Sequence, residues 1–110
     1  METVEDLQSK FEYYAEQHYA ALQEGGGSRA NKWYKKIVKL HELSVNIMNE
    51  NIFKKFLSHE NECVRFWAAC FCLQDSPQEA QSVLKKLLKS SEPYISISAK
   101  ANLESFSKSE

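Results

Sequence analysis

"HENECVRFWAACFC", residues 59–72, holds all three cysteines of the chain and one of its three histidines. The stretch is either a metal or thiol site, or the interior of a helical protein. Helical geometry separates the two readings. At 100° and 1.5 Å per residue, Cys63 and Cys70 differ by only about 20° around a helix but by roughly 10 Å along it. Cys72 falls on nearly the opposite side. Zinc needs ligands converging to about 2.3 Å from one point, and no second cysteine pair exists elsewhere in the chain. His59 precedes the helix and can approach Cys63, but two ligands do not make a site. From Cys63 to Cys72 the only charge is Arg65, and a helix apolar all round is a buried one. Cys63, Cys70, Cys72 and Trp67 are therefore expected to be structural. Arg65 is expected to reach a carboxylate or helix-end carbonyls in a neighbouring helix pair. No metal, cofactor or catalytic residue is expected.

The flanks carry the same helical signal. Upstream, Val4, Leu7, Phe11, Tyr14, Ala15, His18, Ala21 and Leu22 recur at spacings of three and four, the period of one helical face. Thr3 with Asp6 forms a capping pair at its start. "GGGS", residues 25–28, ends it, since glycine adopts the left-handed turn that closes a helix. A second amphipathic run carries Ala30, Trp33, Tyr34, Ile37, Leu40, His41, Val45 and Met48 and is expected to end near "NEN", residues 49–51. A short apolar piece, "IFKKFL", precedes the cysteine helix. Downstream, "QDSPQEA" punctuates the chain, with Ser76 as cap, Pro77 at the first helical position and Glu79 closing a capping box. Ala80, Val83, Leu84, Leu87 and Leu88 then form a stripe. After "SSEP" a last helix carries Ile95, Ala99, Leu103 and Phe106, and "SKSE" is expected to fray. No segment alternates with period two. The expectation is an all-α chain of six helices in a single domain, residues 1–110.

Its last four helices overlay on themselves. "FKKFLSHENECVRFWAAC" (53–70) aligns with "LKKLLKSSEPYISISAKA" (84–101), pairing Leu57 with Leu88, Val64 with Ile95, Phe66 with Ile97 and Ala68 with Ala99. Helix pairs repeating at this length stack into an α-solenoid. The pattern resembles a family of small bacterial HEAT-like repeat proteins. The resemblance is carried by Asn31-Lys32, by Val64-Arg65-x-Trp67-Ala68-Ala69, by Pro77-x-x-Ala80 and by Ile95-Ser96-x-x-Ala99. It covers roughly residues 30–106 and leaves the acidic first helix, 1–24, outside. It implies a HEAT-like α-solenoid, a stack of helical hairpins, and a scaffold rather than an enzyme. Asn61 and Glu62 depart from it, standing where the family's turn carries an acid that pairs with a neighbour's arginine.

Composition sets the remaining limits. Apolar residues make up 43% and charged residues 26% of 110, ordinary for one globular domain. No apolar run approaches the roughly 20 residues needed to cross a bilayer. The acidic start "METVEDLQSK" is unlike a secretory signal, and three clustered cysteines do not form a disulfide framework. A cytoplasmic protein is expected.

Charge is segregated. Residues 1–24 hold six acids and one lysine; residues 25–57 hold Arg29 and six lysines against Glu42 and Glu50. Glu5, Glu12 and Glu16 share a strip about 40° wide, and Lys32, Lys35, Lys36 and Lys39 share about 100° of the next helix. Three readings follow. The stripes pair along a common rim, for about 0–1 kcal/mol per exposed pair. Or the acidic stripe docks a basic protein, the concrete case being an immunity protein that caps a toxin, such as a basic nuclease. Or Lys32, Lys35, Lys36, Lys54 and Lys55 face a nucleic acid, against which stands a chain with two arginines. "GGGS" lacks the lysine and preceding strand of a phosphate loop. His18 reads as a core histidine, with no acid placed beside it. His41 and Glu42 point about 100° apart, which does not suit acid–base work.

Overall fold

The computed structural model describes residues 3–47 and 51–109. Within them the chain forms α1 (Val4–Gln23), α2 (Gly27–Ile47), a 3-10 turn (Lys54–Ser58), α3 (Glu62–Cys72), α4 (Pro77–Leu87) and α5 (Pro93–Ser109). The all-helical expectation holds for the described residues. The count of six does not: "IFKKFL" supplies one 3-10 turn rather than a helix, leaving five α-helices. Met48 and most of the expected end of α2 lie outside the described residues.

The local start and stop signals act as their chemistry demands. Thr3 Oγ1 accepts the Asp6 amide and Asp6 Oδ2 accepts the Thr3 amide, both at 3.1 Å, a complete capping box. After Glu24, Gly25 takes a left-handed φ of 73°. Gly25 N–H then donates to Leu22 O and Gly26 N–H to Ala21 O, the paired bonds of a Schellman motif. α2 begins at Gly27, inside the expected "GGGS" break at residues 25–28. At α3, Asn61 Oδ1 accepts the amides of Cys63 (2.9 Å) and Val64 (3.2 Å). At α4, Pro77 holds the first position, but Ser76 makes no side-chain cap and Glu79 instead pairs with Lys54 at 3.5 Å. "SKSE" is helical through Ser109.

α3 is the centre of the assembly. It packs against α1, α4, α5 and the 3-10 turn, while α1 pairs with α2 and α4 with α5. Cys63, Val64, Phe66, Trp67, Ala68, Ala69 and Cys72 are all buried. The alanines let neighbouring backbones approach closely. Phe11 of α1 meets Phe53 at 4.7 Å and Phe56 at 5.1 Å, anchoring the 3-10 turn. α2 reaches α3 through long rings: His41 stacks flat on Phe71 at 3.9 Å, and Tyr34 meets Trp67 edge-on at 5.4 Å. Asn51 Nδ2 donates to Phe71 O at 2.7 Å, and Gln8 Nε2 to Ile52 O at 2.7 Å, tying the irregular segment to α3 and α1. The molecule measures 38 × 35 × 23 Å; its short dimension is about two helix diameters.

Burial tests the sequence overlay pair by pair. Val64 and Ile95 are buried alike, as are Ala68 and Ala99. Phe66 is buried whereas Ile97 is 67% exposed, and Leu88 is exposed where Leu57 is half-buried. Among the described residues no element covers the face of α5 that carries Ile97. Val4 and Val45, placed on apolar faces by periodicity, are exposed.

Candidate functional site

The two charged stripes do not meet. α1 turns Tyr13 and Tyr14 toward α2, where both contact the Trp33 ring at 5.8 Å. Lys32 lies 5.2 Å from the Trp33 ring centre, and Lys36 lies 5.5 Å from that of Tyr14. Lys36 and Lys39 also line a shallow groove with Lys10, Tyr14, Leu40 and Leu43, and Lys35 is exposed. Glu12 faces elsewhere, hydrogen-bonded at 2.7 Å to His59 ahead of α3. Glu5 and Glu12 line a groove of about 350 Å³ with Gln8, Ser9, Lys55 and Phe56. Among the described residues, ion pairs join Arg29 to Glu24 and Lys54 to Glu79, and His59 is hydrogen-bonded to Glu12. None joins the acidic stripe to the α2 lysines, so the shared rim is not formed.

Glu12, Glu16 and His59 bring three potential ligand atoms within 4.8 Å of one another, a juxtaposition the sequence did not suggest. His59 Nδ1 accepts the Asn61 amide at 2.9 Å, so the neutral ring carries its hydrogen on Nε2 and donates it to Glu12. To ligate a cation, Nε2 would have to shed that hydrogen, and the neutral ring would then carry it on Nδ1 and break the Asn61 bond. The cluster is built as a loop clasp. Arg65 joins it, Nη1 donating to His59 O (2.8 Å) and Glu60 O (3.1 Å). It thus binds carbonyls of its own turn rather than those of a neighbouring helix pair.

The cysteines are free thiols, Cys63 and Cys72 buried and Cys70 partly so. Burial pushes Cys70 up to about 12 and Cys72 up to about 11, and raises Cys63 as well. Cys63 Sγ lies 3.3 Å from His18 Nδ1, superficially a nucleophile–base pair. The electrostatics run the wrong way. Burial lowers His18 to about 4 while raising the thiol, so neither member of the pair ionises near neutrality. Trp67 Nε1–H also donates to His18 Nδ1, at 3.0 Å.

That indole bond fixes the ring. An indole N–H only donates, so Nδ1 is the bare nitrogen and Nε2 carries the hydrogen. His18 is 1% exposed and lines a cavity of about 350 Å³ with Leu22, Gly27, Ala30, Asn31, Tyr34 and Tyr94. A second cavity of about 280 Å³ shares Tyr34 and Tyr94 and has Trp67 and Cys70 in its wall. Neither cavity is visible in the sequence, because their walls come from α1, α2, α3 and α5 together.

No helix among the described residues is long and apolar enough to cross a membrane. No family model matches the chain, and neither a curated protein nor a solved structure matches it significantly.

Proposed function

We propose that this chain is a non-enzymatic protein-binding domain, a short HEAT-like stack of helical hairpins that works by covering a partner's surface. The observation that carries this reading is the failure of the two charged stripes to neutralise each other. Glu5 and Glu16 are exposed on α1, and the lysines of α2 turn toward rings and solvent. Opposed fields left open in this way steer association and fix orientation. An immunity role follows as the concrete case: the acidic face of α1 docks a basic toxin domain, such as a nuclease, and occludes its substrate surface without chemistry. The test is calorimetry at low and high salt between this chain and the product of the adjacent gene. Tight, salt-weakened binding that falls at least tenfold in Glu5→Lys/Glu16→Lys supports the reading. Absence of binding, or binding indifferent to the double reversal, removes it.

One observation favours a second reading. Lys32 and Lys36 flank the Tyr13, Tyr14 and Trp33 rings, and cations around aromatic faces suit single-stranded nucleic acid. Binding of a fluorescent oligonucleotide that steepens at low salt and is lost in Lys35→Glu/Lys36→Glu would favour it.

A further inference from the structure

We propose that the His18 cavity is a binding site for a neutral small molecule with a flat apolar body and a hydrogen-bond acceptor, carbonyl or aromatic nitrogen.

The inference begins with a donor lacking a partner. His18 Nδ1 is engaged by Trp67 Nε1–H and sits beside Cys63 Sγ, which leaves Nε2–H as the ring's remaining polar group. Among the described residues nothing accepts it. A buried donor without an acceptor is costly, so this one calls for an acceptor from outside the chain. One water molecule, at about 30 Å³, satisfies the bond but fills a small part of the roughly 350 Å³ available.

The lining selects the rest of the ligand. Tyr34, Tyr94 and Leu22 offer ring and aliphatic surface, and Asn31 adds one amide. Among the described residues no lysine, arginine or carboxylate lines the cavity, so an ionised ligand would enter without a counter-charge. Tyr94 meets His18 edge-on at 5.2 Å, holding the imidazole in place. A few fixed polar groups in a mostly apolar concavity is the ordinary design of a small-molecule site.

Nitrogen-15 NMR of the labelled full chain checks the premise first: His18 should show a bare Nδ1 and a protonated Nε2 at pH 7. Acetophenone is then titrated against ethylbenzene, which has the same body without the oxygen. The expected result is that acetophenone shifts the His18, Tyr34 and Tyr94 signals and binds about tenfold tighter, the worth of one hydrogen bond. Ala30→Leu, which fills the cavity from α2 and leaves His18 untouched, should abolish those shifts. His18→Asn keeps an acceptor for Trp67 but removes Nε2–H, and should erase the advantage of the oxygen. Equal affinity of the two probes overturns the proposal. So do shifts that survive Ala30→Leu, and so does an absence of shifts at these three residues.

Discussion

At the scale of the residue, His18 governs the acid response. Burial holds its folded pKa near 4, against 6.5 for the ordinary side chain. Between these values the unfolded chain takes up a proton that the folded chain refuses, so stability is lost as pH falls from 6.5 to 4. The loss should reach about 2–3 kcal/mol. Cys63 of α3 and Tyr94 of α5 face the ring, and both are neutral throughout that window. His41 is also lowered by burial and adds with the same sign. Urea unfolding at pH 7, 5.5 and 4.5 should therefore show a shallower slope in His18→Asn, though not a flat one. The thiols give a second outcome. With burial raising all three, a disulfide reagent should label the native protein about a hundredfold more slowly than the unfolded chain. Fast native labelling of any cysteine would contradict the packing described. The sequence placed His18 on a buried face. It could not reveal Trp67 and Cys63 as its partners, which lie 49 and 45 residues away.

Among the elements, the caps discriminate between motif and geometry. Thr3 and Asn61 both accept backbone amides, so Thr3→Ala and Asn61→Ala should each cost about 1 kcal/mol in chemical denaturation. Ser76 precedes an equally strong capping sequence but bonds nothing with its hydroxyl. Ser76→Ala should be close to neutral, and an equal loss at all three positions would refute the assignment. The sequence could not anticipate this because Glu79, the expected partner, is drawn away to Lys54 across the element boundary. "IFKKFL" failed as a helix for a related reason. Phe53 and Phe56 both turn to Phe11, a demand met by a tight 3-10 turn with its threefold period.

At the scale of the whole molecule, the fold depends on one helix touching most of the others. Ala68 and Ala69 are fully buried where α3 meets its neighbours, so there is no room for a larger side chain. Ala68→Leu should destabilise by about 1–3 kcal/mol through overpacking, and fluorescence and circular dichroism should lose signal in a single coincident transition. Separate transitions would mean that α1–α2 and α3–α5 fold as independent units. Charge belongs to this scale too. Opposite stripes on consecutive helices invite a pairing argument, yet the Tyr14–Trp33 contact rotates α1 so that Glu12 finds His59 instead.

"HENECVRFWAACFC" by itself determined that its cysteines could not converge, because helical rise and rotation are fixed by the backbone alone. Periodicity, caps and glycines likewise determined an all-helical chain and most of its breaks, since those signals act within a turn or two. Which face of α1 meets α2, where Arg65 finds its carbonyls, and that α1, α2 and α5 leave a cavity beside His18 were decided only by tertiary packing. Each depends on contacts between residues far apart in the chain, whose relative rotation no local pattern records.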